Sequence, residues 1–479
     1  MTDRILLICV VLIPIMGSLL LPVFGRISKT FRNAAALLML LVPFGILAYI
    51  LPRACASDPP YFNIELPLGL SFGLLADGLA VFMAMISSFL GAVIIVYSYG
   101  YIEHSDNRQE YYFMVVFFIG AMMGITLTTN LIFLYLFWEI SAVCCWRLIG
   151  FFREKEYVRR ADKAFLITGA GAFVMLAGFM IILNQYGTAD LIQLAGRPVP
   201  DIAVALILFG ILSKSATLPL HSWIADAGVA PTPATALLHA AVLVKIGLYA
   251  YARLFVVNFE INTVWHTVIP VIAAVSAILS AGAALAENDI KRIIAYSTVS
   301  QIGFIFFGLS VGGETALAGA LLYILMHAIS KAGLFLCAGI VEHGCHTKDI
   351  RQLGGLLKTM PKTAVSFFIC ALSVIGVPPL GGFFSKFLVI GGAVEAGQPI
   401  VAAVFMIGAV MTVLYLLRVF IKVFLGAPRM DHLPAEGSFS MIFSVVLLAV
   451  LSIISGLAVY YPSAFVDAIT RQIAIIAIR

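Results

Sequence analysis

Basic side chains stand inside the long apolar segments of this 479-residue sequence, which is where ion chemistry within a membrane would require them. They are Arg147, Lys214, Lys245, Lys331, Lys386 and Arg418. A lysine at the centre of a bilayer costs about 2.5–3.5 kcal/mol unless water, carboxylates or carbonyls surround it. Arg147 and Arg418 lie nearer the ends of their segments and can extend to the headgroups. The four lysines are therefore the candidates for taking up and releasing protons.

Two histidines could join these lysines in a relay. His327 and Lys331 are four residues apart and share one helix face, so together they could exchange protons near neutral pH. The alternative is a core histidine bonded to a carbonyl. His239 precedes Lys245 by six residues, a spacing that does not place both on one face of a regular helix. We expect His239 to reach Lys214 or a chain of water instead.

The other chemical candidates lie near the predicted segment ends. His221 could take part in proton entry or simply cap its segment, whereas Asp226 could cap or hinge the loop that leads into the eighth span. Both are possible modulators of ion movement. His343 and His346 flank Cys345 without further ligands at metal spacing. No C-x-x-C pair, P-loop or G-x-G-x-x-G after a strand occurs. We therefore expect no metal, no cofactor and no catalytic or redox site in this chain.

The composition predicts an all-α polytopic membrane protein. The chain is 62% hydrophobic and only 11% charged, with a mean hydropathy of +1.07, whereas soluble domains carry about 25% charged residues. This excludes a soluble globular protein, a disordered chain and a nucleic-acid binder. Because a spanning helix needs about 20 apolar residues, we predict about fourteen spans, at 5–24, 34–51, 74–98, 111–128, 131–151, 164–184, 201–220, 231–256, 264–286, 292–311, 315–341, 362–395, 400–425 and 439–461.

Two of the spans that carry lysines are predicted to be broken. In the seventh, Pro219 follows Lys214 by five residues, and the missing N–H and the ring release nearby carbonyls. In the twelfth, the glycine- and proline-rich stretch Ile375–Lys386 cannot form a regular helix. Broken helices at corresponding places in two halves indicate an inverted-repeat transporter, so spans 4–8 and 9–13 are predicted to be two inverted five-helix units.

These breaks and the loop charges define the expected organisation. It comprises a three-helix N-terminal segment (1–110), two half-channel repeats (111–256 and 264–425), and a C-terminal helix with a short, mildly amphipathic tail (426–479). Most loop lysines and arginines, including those of the 152–163 loop, fall on one side. Such residues favour the cytoplasm, which predicts a multi-pass protein of the inner (cytoplasmic) membrane with both termini outside.

Several blocks resemble the antiporter-like membrane subunits of respiratory complex I, energy-converting membrane-bound hydrogenases and Mrp-type multisubunit cation/proton antiporters. They span roughly residues 70–425, and the composite block around the seventh and eighth spans is the most specific. The blocks are Phe137-Trp138-Glu139, Lys214 through Ala227, Ala230 through Pro233, Leu237-Leu238-His239, Lys245 through Tyr249, Asn288 through Thr298, His327 through Phe335, Asp349-Ile350-Arg351 and Leu353-Gly354-Gly355.

The resemblance implies a fourteen-helix subunit whose two inverted half-channels share a central chain of buried ionisable residues. That chain passes protons, or in some members sodium. By position, Glu139 matches the family's buried glutamate and Lys214 its partner lysine. Lys245, Lys331 and Lys386 match the ionisable positions of the eighth, eleventh and twelfth spans, and some relatives have glutamate at the last.

Glu139 and Lys214 are expected to gate the first half-channel. Desolvation favours the neutral amine whereas a nearby carboxylate favours the ammonium ion, so relative movement of the two side chains would load or release a proton. The alternative is a static buried ion pair that only fixes packing. The stretch Cys144-Cys145-Trp146-Arg147 differs from the relatives. Within it, Arg147 either modulates Glu139 or reaches the lipid headgroups.

The expected function is proton translocation as a subunit of a redox-driven complex of the hydrogenase or complex I type, with the electrons carried by other subunits. The alternatives are an Mrp-like Na+/H+ antiporter subunit and the membrane partner of an inorganic-carbon uptake complex. The expected partners are other membrane subunits, related antiporter-like subunits among them, together with H+ or Na+ and the lipid bilayer, but no nucleic acid.

Overall fold

The computed structural model describes residues 2–56, 58–67, 70–429 and 434–478, and most of these residues are helical. Consecutive helices pack against one another in a single bundle. The first six are α1 (Thr2–Ile27), α2 (Lys29–Ala54), α3 (Gly78–Tyr101), α4 (Arg108–Leu127), α5 (Leu131–Ile149) and α6 (Lys155–Tyr186). Then follow α7 (Asp201–Lys214), α8 (Ser222–Asp226), α9 (Thr232–Ala236), α10 (Leu243–Tyr251), α11 (Trp265–Ala286), α12 (Ile290–Ser310) and α13 (Glu314–Cys345). The last are α14 (Pro361–Ile375), α15 (Gly381–Glu395), α16 (Pro399–Phe420), α17 (Phe439–Leu457) and α18 (Tyr460–Ile478).

Membrane-spanning character follows from the length and hydropathy of these elements. In the described part of the chain, 12 helical segments are long and apolar enough to cross a membrane. One of them, Thr232–Asn258, contains α9 and α10, with a π-helical turn at Leu237–Ala241 between them and a second at Ala252–Asn258 after α10. The seventh and twelfth predicted spans are interrupted and complete the predicted set. The prediction of an all-α, multi-pass membrane protein is confirmed.

Both predicted helix breaks are present. Helix α7 ends at Lys214, and the chain passes through Ala216, whose φ of 53° is left-handed, before α8 begins. Helix α14 ends at Ile375 and is capped by Gly376, whose φ of +93° a residue with a side chain would rarely adopt. The backbone thus leaves carbonyls without helical partners at two points where lysines lie close by.

Short strands close the ends of the bundle, and the sequence did not predict them. Strands β1 (Tyr61–Glu65) and β2 (Ser71–Leu75) pair antiparallel, and β3 (Arg197–Pro198) runs parallel to β4 (Phe259–Glu260). The third span therefore begins at Gly78. Sequence analysis placed its start at residue 74, because strand β2 is as apolar as the start of a spanning helix. Asp77 caps α3 by accepting a hydrogen bond from the Ala80 amide at 2.9 Å.

The short, mildly amphipathic tail expected after the last span is helical in the structure. After α17 the chain forms a separate 19-residue helix, α18. Its Gln472 side chain accepts from the Gly78 amide and donates to the Ala54 carbonyl, both at 2.9 Å. These contacts tie α18 to the ends of α2 and α3, a tertiary interaction that the weak apolar pattern of the segment did not reveal.

Burial separates central from peripheral helices. The most apolar windows of α12, α13 and the Thr232–Asn258 segment are each 94% buried, whereas those of α1 and α2 are 33% and 28% buried. The central helices carry most of the predicted ionisable residues, while the peripheral ones expose apolar side chains. Polar groups on the central helices therefore meet other protein groups and not lipid.

Candidate functional site

The four intramembrane lysines all lie inside the bundle. Lys214, Lys245 and Lys331 have no exposed surface, and Lys386 is 5% exposed. Each ammonium group donates to at least one main-chain carbonyl oxygen. Carbonyl oxygens offset part of the free-energy cost of burying a cation. Because they are neutral, they do not keep the lysine permanently charged as a bonded carboxylate would.

Lys214 is positioned by the break that ends α7. Its Nζ donates to the Trp138 carbonyl oxygen of α5 at 3.1 Å and lies 5.2 Å from the centre of the Trp138 ring. Trp138 is fully buried, so its ring and carbonyl form a fixed wall for the ammonium group. The residue that follows it in α5 is Glu139.

Glu139 is half-buried, and its Oε1 has no hydrogen-bond partner in the described part of the chain. It forms no ion pair with Lys214, which bonds instead to the carbonyl of the preceding residue. The predicted acid and base therefore lie near each other in the structure but do not form an ion pair.

Lys245 and His327 form the direct bridge between the two halves of the chain. Lys245 Nζ lies 3.2 Å from His327 Nδ1 and donates to the Ala240 carbonyl within the π-helical turn. The predicted relay partner of His327 was Lys331, one turn further along α13, but its bonded partner is Lys245. His327 Nε2 has no partner among the described residues.

A set of uncharged polar side chains continues the row from Lys331. Lys331 donates to the Ser297 hydroxyl, which lies 2.7 Å from the Tyr415 hydroxyl. From there the bonds run through Thr412, Gln301 and Tyr323. Sequence analysis missed these residues because it sought charges, although serine, tyrosine and glutamine inside an apolar span are themselves a signal.

Lys386 ends the row at the second helix break. Its Nζ donates to the Val374 carbonyl oxygen at 2.8 Å, at the end of α14, and lies 4.8 Å from the Phe304 ring centre. The Tyr323 ring centre is 5.7 Å away. Side chains of α10, α12, α13, α15 and α16 thus lie in a row from Lys245 to Lys386, without a hydrogen bond between His327 and Lys331 or between Tyr323 and Lys386.

His239 is buried but stands apart from this line of bonds. It lies in the π-helical turn, and neither ring nitrogen has a partner in the described part of the chain. Its ring packs 4.8 Å from that of Phe335, one turn after Lys331 on α13. The expected contact with Lys214 is not made in this structure.

The three possible modulators lie near the helix ends. Arg147 pairs with Glu110, its Nη2 lying 2.8 Å from Oε2, and not with Glu139. Asp226 accepts from Lys163 at 2.7 Å. His221 is half-buried, and its Nδ1 has no partner among the described residues. None of the three touches the lysine row, so any influence on it would act through other groups.

Two cations near the ends of their helical segments form buried ion pairs with distant carboxylates. Lys291 is 1% exposed, and its Nζ lies 3.1 Å from Glu342 Oε2. Arg253 binds Asp77 through two hydrogen bonds of 2.6 Å each. Sequence analysis did not predict these pairs because the acidic partners are distant along the chain, and hydropathy along the chain cannot detect them.

Two family models match this sequence. The model described as "NADH:quinone oxidoreductase/Mrp antiporter, TM" matches residues 128–412. The model described as "NADH-Ubiquinone oxidoreductase (complex I), chain 5 N-terminus" matches residues 62–113. The first model includes Glu139, His327 and all four lysines of the row.

Similar proteins carry related descriptions. The Na(+)/H(+) antiporter subunits A1 of Staphylococcus haemolyticus and Staphylococcus aureus are each 32% identical over 489 positions, which cover 93% of this chain and 60% of theirs. The chain therefore spans about 60% of the length of these relatives.

Solved structures share the fold. A chain of the Mrp complex from Dietzia sp. superposes with a TM-score of 0.89 at 22% identity, over 100% of both chains. A chain of the archaeal membrane-bound sulfane sulfur reductase gives 0.88 at 23% identity, over 98% of this chain and 97% of its own. A chain of respiratory complex I from Thermus thermophilus gives 0.86 at 21% identity, over 98% and 99%.

Proposed function

The chain belongs to the NADH:quinone oxidoreductase/Mrp antiporter transmembrane family, and on that premise we propose that it is a proton-translocating, antiporter-like subunit of a multisubunit membrane complex. The observation that carries this proposal is the row of buried side chains in the bundle. Lys245 bonds to His327, Lys331 lies one turn further along α13 and bonds through Ser297 to a network of polar side chains, and Lys386 lies beside the Tyr323 ring of that network. Buried ionisable groups inside a membrane protein mark ion pathways by default, because their cost is otherwise not offset.

The lysine row suits proton transfer because its ammonium groups are held by neutral acceptors. Carbonyls, hydroxyls and an imidazole can hold a lysine in its charged or its neutral form, whereas a bonded carboxylate would favour the charged form alone. Neighbouring ammonium groups also repel one another, so a proton arriving at one site promotes release from the next. We propose that transfer along the row alternates these two forms.

Glu139 and Lys214 are proposed as the gate of the first half-channel. The unpartnered Glu139 oxygen and the carbonyl-bound Lys214 support this role. A small movement of α5 that brought the carboxylate to the lysine would stabilise the ammonium form and trap a proton. Its reversal would release the proton toward Lys245.

Replacing Lys214 with alanine tests the proposal. Lys214→Ala should abolish ion-coupled proton movement in proteoliposomes of the complete complex while the complex still assembles. Lys163→Ala is the matched control, because Lys163 is 43% exposed and pairs with Asp226 away from the row. Wild-type transport by Lys214→Ala would overturn the proposed gate, and a loss of assembly in both variants would identify a folding effect.

The driving force separates two candidates. A redox-driven complex was the first expectation, and two of the similar solved structures are respiratory complexes. An exchanger driven by an ion gradient is favoured by the relatives described as Na(+)/H(+) antiporter subunits. Proton movement that requires sodium and no electron donor would select the exchanger, whereas neighbouring hydrogenase or quinone-reductase genes would select the redox complex.

We further propose that residues 111–256 and 264–425 are the two inverted half-channels, flanked by the 1–110 and 426–479 segments. The placement of the breaks supports this division, because α7 and α8 in one unit correspond to α14 and α15 in the other, with Lys214 and Lys386 beside the interruptions. The loop charges support an orientation with both termini on the outer side of the cell membrane.

A further inference from the structure

A cavity of about 410 Å³ opens where the turn between α1 and α2 meets the end of α3 and the start of α4. Its wall includes Lys29, Arg32, Tyr99, Glu103 and Arg108. All five lie within a few residues of a helix end, so the cavity is at the level of the lipid headgroups and far from the lysine row.

The positive charges of this cavity exceed its negative charges. Lys29 pairs with Glu103 at 2.6 Å. Arg108 donates to the backbone carbonyl of Glu103 at 2.9 Å and forms no ion pair with a described carboxylate. The lining therefore contains three cations and one carboxylate, which leaves the two guanidinium groups uncompensated.

Of these two arginines, Arg32 gives the stronger evidence for a bound anion, because it is buried. It is 4% exposed, and its guanidinium reaches only neutral groups. It donates to Asn33 Oδ1 at 3.1 and 2.8 Å, reaches Gln109 Oε1 at 3.4 Å, and lies 4.3 Å from the centre of the Tyr112 ring. A buried cation is ordinarily paired with an acidic group. Among the described residues none is present, so an anion from outside the chain would complete the site.

The apolar edge of the cavity identifies the kind of anion. Ala34 and Leu37 line it, and Leu38, Leu41 and Val42 continue along α2 with exposures of 56%, 39% and 42%. A ligand with a charged head at Arg32 and an acyl chain along this face would match both surfaces. A free phosphate ion would use only the first.

We propose that this cavity binds the phosphate of an anionic glycerophospholipid, with Arg32 and Arg108 contacting the headgroup and an acyl chain lying along α2. Guanidinium groups suit phosphate because their planar donors can bind two oxygens at once. The bound lipid would fix the α1–α2 turn against α3 and α4. This site is independent of the proposed transport function.

Lipid titration of the full chain, purified in mild detergent with its partner subunits, tests the proposal. Native mass spectrometry with phosphatidylglycerol and phosphatidylcholine should show one tightly held phosphatidylglycerol, bound at least tenfold more tightly than phosphatidylcholine. Arg32→Gln should lower phosphatidylglycerol affinity about tenfold. Arg108→Gln should lower it as well, and because Arg108 is exposed this variant keeps the test valid if Arg32→Gln does not fold.

Arg26→Gln is the matched control, since it removes the same charge from the same turn but Arg26 does not line the cavity. Equal losses in the Arg26 and Arg32 variants would reduce the effect to general surface charge and overturn the site. Equal affinity of the wild type for the two lipids would do the same. Inorganic phosphate that competes at the same concentration as the lipid, or a partner subunit's carboxylate cross-linked into the cavity, would reassign the anion and contradict the proposal.

Discussion

Hydroxyl groups determine whether the second half of the lysine row is connected. Ser297 accepts a hydrogen bond from Lys331 and contacts Tyr415, so it joins the ammonium group to the polar side chains that lead to Lys386. A hydroxyl can accept one hydrogen bond while it donates another. In the proposed proton path, neutral residues of this kind would therefore be needed as well as the charged groups.

Ser297→Ala should lower proton transport per assembled complex about tenfold, because the ammonium group loses a hydrogen bond whose contribution is about 1.5–3 kcal/mol. The initial rate of pH change in proteoliposomes measures the effect. Ser300→Ala, on the same helix, removes a buried hydroxyl that has no partner among the described residues and should leave the rate unchanged. Equal rates in the two variants would show that protons do not pass Ser297.

Close helix packing holds the lysines of the first half at a fixed separation. Helix α10 approaches α7 at Gly247, where a Cβ atom would lie 2.8 Å from the Ile211 carbonyl oxygen. Lys245 is two residues before this contact and Lys214 is three residues after Ile211. The absence of a side chain at Gly247 thus sets the spacing between the two elements that carry these lysines.

Gly247→Ala should push α10 away from α7 and destabilise the protein by about 1–3 kcal/mol, the usual cost of overpacking a core. A lower melting temperature and slower transport are the expected measurements. Gly169→Ala is the control, because a Cβ atom at Gly169 in α6 would meet nothing within 4 Å. Alanine there should leave stability unchanged or raise it by up to about 1 kcal/mol, since it favours the helix. An unaltered Gly247→Ala protein would refute the packing argument.

The whole molecule presents two different ends to the two sides of the membrane. One end carries the basic residues of the predicted 152–163 loop, most of which lie in the first turns of α6 because that helix begins at Lys155. The other end carries the strands and, through its contacts with the ends of α2 and α3, helix α18. Basic loops remain on the cytoplasmic side because their transfer across the membrane is unfavourable. The orientation is a property of the complete set of loops and not of any single helix.

Single cysteines in a cysteine-free background should report this orientation. Lys155→Cys, in the basic loop region, should resist a membrane-impermeant maleimide added to right-side-out vesicles, whereas Asn262→Cys, between β4 and α11, should react. Both side chains are exposed in the structure, so accessibility depends only on the side of the membrane. The reverse labelling pattern would invert the proposed topology, and detergent-permeabilised vesicles should label both positions.

Local sequence determined the helices and their breaks. Each span depends on about 20 apolar residues in succession, and both interruptions follow from proline and glycine beside Lys214 and Lys386. These signals lie within one segment, so the spans and the candidate lysines could be predicted without coordinates. Strand β2 and helix α18 were missed because their short or weakly patterned segments depend on contacts with other elements.

Tertiary structure alone decided which ionisable groups meet. Lys245 bonds to His327 across 82 positions of the chain, and Lys291 and Arg253 find their carboxylates on distant helices. Glu139, by contrast, forms no ion pair with Lys214, which bonds to the Trp138 carbonyl oxygen. Helical periodicity specifies which face a residue occupies but not which neighbour that face packs against. The sequence therefore identified the lysines, whereas the packing of the helices selected their partners.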